Sequence, residues 1–244
     1  MGIKCIISLT SHNKSRLENL SKYLYESIYK YSLQNEYKVV LTLYKEDIQY
    51  ITDELQALID NTLLELIVSD IDLKSHLKYF YTMQKYKDLP IITIDDDSIY
   101  PANMFDYMYN EYIKNPNLVL CRSCQEFTYT NHQINPTNLW RHSPLHNISY
   151  TNHAEGYAGV LYPPNCLDIS DELIPEILDC IKSDDIYLSI LEIRKKIQIY
   201  YLPNMRHQFV LSTKGENAIS LTKDIVSINN SYVKKFEADF NTIG

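Results

Sequence analysis

The chain has 244 residues, 45% of them hydrophobic and 22% charged, with a formal net charge of −8. That size and balance suit one α/β core, and the acidic charge excludes a nucleic-acid binder that works by neutralising phosphates, or broad adhesion to an anionic membrane. Its 5 glycines form no G-x-G-x-x-G or Walker A pattern, so any bound phosphate must be met by a metal ion and cationic side chains.

Residues 4–9 predict an apolar strand, followed by the polar stretch 10–16. Residues 17–31 carry Leu17, Leu20, Leu24, Ile28 and Tyr31 at helical spacing, and Ser15 with Glu18 three positions on reads as a capping box. Residues 37–44 predict a second strand and 46–58 a second helix. A third strand over 64–68 runs out towards Asp70 and Asp72. Residues 74–87 predict a helix and 91–94 a fourth strand. Strand–helix alternation of this kind implies right-handed crossovers and a mainly parallel sheet. Ligands bind such sheets beyond the carboxyl ends of the strands, where 10–16, 70–74 and 95–97 all fall.

The second half is less regular. Residues 101–114 predict a helix and 117–121 a strand, followed by a polar excursion over 126–153 that holds the only Trp, Trp140. So long an excursion suggests a binding segment or a lid. Helices are expected over 174–181 and 184–195 and a late strand over 197–202. Roughly the last 25–30 residues read as a polar helical appendage. The five cysteines are expected as reduced, buried thiols: Cys121 and Cys124 form a C-x-x-C with no second pair at zinc spacing. No apolar run approaches the ~20 residues that span a bilayer, and the first residues read as a strand, so a cytoplasmic protein is expected.

The most informative run is 89–101, LPIITIDDDSIYP. A buried β-branched strand ends in Asp95, Asp96 and Asp97, three adjacent charges whose desolvation is costly unless a cation sits among them. Oxygen ligands at a strand end suit a hard divalent ion. Because successive side chains alternate in an extended segment, Asp95 and Asp97 are expected to share it, and Asp96 to point elsewhere.

With these pieces in order, the chain resembles bacterial GT-A-type glycosyltransferases (family 2-like) of capsule and lipopolysaccharide clusters. The resemblance rests on residues 6–11 with Arg16, on ITIDDDSIYP at 92–101, on EGYAGVLYPP at 155–164 and on SDDIY at 183–187. It implies a single GT-A domain over 1–215, with a nucleotide-sugar half (1–120) and an acceptor half (121–215), and a C-terminal helical extension over 216–244. It also implies transfer of a sugar from a nucleotide diphosphate, UDP-linked in the first instance, to a capsular or lipo-oligosaccharide acceptor. Mn²⁺ or Mg²⁺ would assist, inversion is expected, and the work would take place on the cytoplasmic side of the inner membrane.

On that resemblance Asp97 coordinates the metal, Asp95 contacts metal or ribose, and His207 supplies a third ligand. Thr10, Arg16, Asp70, Asp72 and Lys74 become candidates for nucleotide contacts, together with Asp95 and Asp96, although a helix-surface charge is the simpler reading of Lys74. Asp185, with Asp184 as the fallback, would deprotonate the acceptor hydroxyl, although a helix cap or dipole partner explains the same pair. Gly156 and Gly159 suggest close backbone approach to the donor sugar or acceptor, and Tyr157 and Trp140 could line that site alongside His142, His146 and His153. The Tyr-rich helices at 17–31 and 105–112 offer a homodimer interface. The rival readings are a catalytically inactive binding module of the same fold and a sugar nucleotidyltransferase. The latter usually carries a glycine-rich first loop, where this chain has Thr10-Ser-His-Asn-Lys14.

Overall fold

The computed structural model describes residues 2–202 and 224–244. Its strands are β1 (Cys5–Thr10), β2 (Tyr37–Tyr44), β3 (Leu64–Ser69), β4 (Ile91–Thr93), β5 (Val119–Cys121), β6 (Cys124–Glu126), β7 (Tyr129–Thr130), β8 (Gln133–Ile134), β9 (Arg141–His142), β10 (Ile148–Ser149), β11 (Asn152–Ala154), β12 (Val160–Tyr162) and β13 (Ile199–Tyr201). The helices are α1 (Asn13–Ser27), α2 (Asp53–Asp60), α3 (Phe80–Lys85), α4 (Ala102–Lys114), α5 (Ile174–Asp179), α6 (Asp184–Lys195), α7 (Ile225–Lys235) and α8 (Glu237–Phe240).

Eight strands form one sheet in the order β10-β13-β5-β12-β4-β1-β2-β3. β4, β1, β2 and β3 are parallel neighbours, as are β5 and β13, while β12 runs antiparallel between β4 and β5. The fold is therefore α/β, a mainly parallel central sheet flanked by helices. The reversal of β12 matters for function. Its first residue, Val160, lies opposite Thr93 at the end of β4, which brings the turn before β12 to the same edge as the three aspartates.

Alternation along β1 divides the core. Cys5, Ile7 and Leu9 pack with Leu17, Leu20 and Leu24 of α1 and with Met104, Phe105 and Met108 of α4. Ser8 faces the other side, where its hydroxyl donates to the Lys78 carbonyl at 2.6 Å. The second large apolar cluster joins Phe80, Val160, Tyr187, Ile190, Phe236 and Phe240.

Five expectations need correction. The first helix starts at Asn13, where the Asn13 side chain accepts the Arg16 N–H at 3.1 Å, so Ser15 lies inside the helix and does not cap it. Residues 74–87 divide into a short 3₁₀ turn (Lys74–Lys78) and α3, with Lys74 at φ 52°. Residues 46–58 divide in the same way, into a 3₁₀ segment (Lys45–Tyr50) and α2, the second capped by Thr52. The 126–153 excursion is ordered as the three-stranded sheet β11-β6-β9 and the hairpin β7–β8. Finally, α7 and α8 are more than a polar appendage, because Val233, Phe236 and Phe240 are buried in the core.

Candidate active site

At the carboxyl end of β4 each aspartate of the acidic turn meets a cation. Asp95 accepts from the Lys78 ammonium at 3.0 Å. Asp96 is buried and is held by the Ser11 hydroxyl and by the Arg16 guanidinium. Arg16 also reaches Asp97 at 3.2 Å, and so spans two carboxylates from the first turn of α1. Burial pushes the Asp96 carboxyl up, while Arg16 and Ser11 work against that shift. Arg16 itself ends above its usual range, because Asp96 and Asp97 outweigh the cost of burying it.

Lys78 is the centre of a second set of contacts. Its side chain is only 5% exposed, and it pairs with Asp184 at 2.6 Å as well as with Asp95. The same 3₁₀ turn carries His76, whose ring sits between the Tyr79 hydroxyl (2.8 Å) and the Cys180 carbonyl (3.1 Å). Burial alone would raise the Asp184 carboxyl, but the Lys78 charge overrides it and holds the group at about 2. Burial also opposes the Lys78 charge, yet Asp184, Asp95 and Asp185 together lift its pKa well above the ordinary lysine value.

Asp185 is different. Among the described residues no cation lies within ion-pair distance of it, and it accepts the Gly156 N–H at 3.1 Å. Burial and then the neighbouring Asp184 charge raise it from 3.8 to about 7. Beside it runs the turn before β12. A Cβ on Gly156 would stand 2.5 Å from an Asp185 oxygen and 3.0 Å from the Lys78 nitrogen, so a side chain there would force these two groups to move. Gly159 has φ 95°, a conformation L side chains rarely adopt.

The Tyr157 ring between these glycines is 54% exposed. Its hydroxyl lies 3.0 Å from Ser123, which in turn donates to Glu155. The buried Tyr100 hydroxyl joins the two turns by accepting the Asp95 N–H at 2.9 Å and donating to the Tyr157 carbonyl at 2.8 Å. Arg122 supports the same turn through the Ala158 carbonyl at 3.0 Å.

The structure thus brings Arg16, Asp95, Asp96, Asp97, Asp184, Asp185, Gly156, Tyr157 and Gly159 to one edge of the sheet. Other candidates have different surroundings. The Thr10 hydroxyl is occupied by the Thr42 carbonyl at 2.7 Å. Asp70 is 88% exposed and pairs with Lys45, while Asp72 pairs with Lys74 and also accepts its N–H in a local turn. Trp140 is buried: its ring packs on Phe127 and His153, and its indole N–H donates to the Asn135 carbonyl at 2.9 Å. His153 is buried against Ser189, whereas His142 is exposed on β9. His207 lies outside the described residues. Sequence reasoning missed Ser11, Lys78 and Tyr100. Lys78 left one signal, a lysine flanked by Leu77, Tyr79 and Phe80, where a solvated charge does not belong.

No cluster of three or more His, Cys, Asp or Glu arranged to hold an ion occurs among the described residues. The donor chemistry still suits Mg²⁺ or Mn²⁺. Asp95 and Asp97 keep side-chain exposures of 32% and 23%, and such ions commonly take one or two carboxylates and complete their shell with substrate phosphates and water.

No protein-family model matches the chain, and no curated protein sequence matches it either. Among solved structures it is similar to a mannosyltransferase from Pyrobaculum calidifontis in complex with GDP-Man and Mn²⁺ (TM-score 0.34, 14% identity, covering 50% of this chain and 35% of that one). It is also similar to S. aureus TarS 1–349 (TM-score 0.44, 10% identity, 83% and 60%) and to a putative glucose-1-phosphate thymidylyltransferase from Bacillus anthracis (TM-score 0.39, 15% identity, 67% and 72%). The chain therefore spans only 35% and 60% of the length of the first two.

Proposed function

We propose that this chain is a metal-dependent glycosyltransferase that moves a sugar from a nucleotide diphosphate donor, UDP-linked, to a hydroxyl of a capsular or lipo-oligosaccharide acceptor, with inversion. The observation that carries this reading is the placement of Asp185. It is a partly buried carboxyl with no cation beside it among the described residues, poised at about 7, on the rim that also holds the acidic turn. A base near neutrality balances being ionised against being strong enough to take a proton.

On this reading Asp185 accepts the proton of the acceptor hydroxyl as its oxygen attacks the anomeric carbon and the bond to the diphosphate breaks. The Gly156 N–H fixes which Asp185 oxygen is used. The Arg16 guanidinium, already at the acidic turn, faces the charge that develops on the departing diphosphate. Asp97 and Asp95 would hold a divalent cation, which as a Lewis acid would stabilise that leaving group. The exposed Tyr157 ring offers a flat apolar face to a sugar.

Titration of UDP, GDP and CMP with and without Mn²⁺, followed by heat or thermal shift, tests the reading. Micromolar binding of one nucleotide that requires the metal is expected. Absence of binding by all three would make the acidic turn a structural device and remove the proposal.

A further inference from the structure

Two adjacent carboxylates open α6, and the resemblance ranks Asp185 over Asp184 without a contact to separate them. Their surroundings do separate them. Asp184 faces the buried Lys78 nitrogen at 2.6 Å, while Asp185 faces the Gly156 N–H at 3.1 Å. Lys78 is anchored on its other side by Asp95 at 3.0 Å. Its own backbone carbonyl is fixed by the Ser8 hydroxyl from the middle of β1. The rest of the 3₁₀ turn is bound to the approach to α6 through His76 and the Cys180 carbonyl. A buried ammonium held between two carboxylates, on a backbone pinned from β1, has little freedom to change partners.

We infer that Lys78 is the positioning residue that divides the pair: it fixes Asp184 as its permanent counter-ion, leaves Asp185 as the only carboxylate of the two open to an acceptor hydroxyl, and through Asp95 ties that choice to the donor side. The role assigned to Asp185 rests on the transferase reading above; the selective pairing of Lys78 does not. Gly156 completes the arrangement. Its missing side chain lets Lys78 and Asp185 flank one backbone position without touching within ion-pair range.

Double-mutant cycles on melting temperature test the pairing without any assay of activity. Breaking a buried pair by removing one partner is strongly destabilising. Lys78→Met should therefore lower the melting temperature by roughly 5–15 °C in the natural background, and by clearly less when Asp184→Asn is already present. Paired with Asp185→Asn it should show no such relief. Equal relief from both aspartate variants would overturn the inference.

If Lys78→Met does not fold alone, the charge-matched Lys78→Met/Asp184→Asn protein and the conservative Lys78→Arg supply the comparison. With a turning-over donor, the double variant should keep KM within about threefold and lose roughly tenfold or more in kcat, as expected for a group that orients a base. Lys78→Arg should recover part of that loss. A double variant with natural kcat would reduce Lys78 to a structural filler. If no donor turns over but the melting cycle shows selective coupling, the transferase reading fails and the pairing stands.

Discussion

The acidic turn after β4 and the first turn of α6 both set adjacent aspartates on the same edge of the sheet, yet they handle the charge differently. At 95–97 every carboxylate has a cation: Lys78 for Asp95, and Arg16 for both Asp96 and Asp97. At α6, among the described residues, only Asp184 has one, and Asp185 is left with a backbone N–H. A cluster whose every carboxylate is paired with a cation suits holding something in place. An uncompensated, partly buried carboxyl trades its proton easily and suits chemistry.

The contrast breaks most sharply at Asp185 itself. Asp185→Asn keeps the shape and the contact to Gly156 but removes the base, so kcat should fall by ~10²–10⁴-fold with nucleotide affinity retained. Near-natural turnover in a steady-state assay would rule Asp185 out. Next in size is Asp97→Ala, expected to cost at least ~10-fold in metal-dependent nucleotide affinity while the thermal melt stays cooperative. An unchanged titration with Mn²⁺ would remove Asp97 from the metal site.

The pH response sharpens the same comparison. Turnover should rise with pH through about 7, as Asp185 gives up its proton. Stability should move in opposite directions at the two carboxyls. Between about 4 and about 7 the folded chain keeps an Asp185 proton that the unfolded chain has released, so this group erodes stability as pH rises. Asp184, depressed to about 2 by Lys78, contributes stability that is lost as pH falls from about 4 to about 2. A pH–rate profile and a series of melts at different pH would read both. The smallest expected effect is Trp140→Phe, which removes the indole bond to Asn135 and should cost ~1 kcal/mol of stability while leaving KM for the acceptor unmoved. A raised acceptor KM would return Trp140 to the site.

Much of the parallel half, and α6 beyond it, was legible because the signals are local. β2 and α6 have the bounds that periodicity predicts, and the strand leading into the three aspartates stands out through its β-branched residues. The acidic turn could be found because its strand announces it. Its partners could not, since Lys78 and Ser11 reach it through β1 and a 3₁₀ turn, contacts with no signature in spacing. The direction of β12 was equally hidden: three residues, VLY, read the same either way, and only pairing between β4 and β5 settles it. Trp140 drew attention as a lone aromatic in a polar excursion, but that excursion folds into small sheets and sends Trp140 into the second large apolar cluster.

Phe236 and Phe240, on the last two helices, lie against Tyr187, Phe127 and Trp140, behind the helix that carries both acids. During synthesis these two rings leave the ribosome after everything they cover. Until they do, the back of α6 presents bare apolar surface. The nascent chain must therefore keep this surface from sticking elsewhere until the last helices close over it.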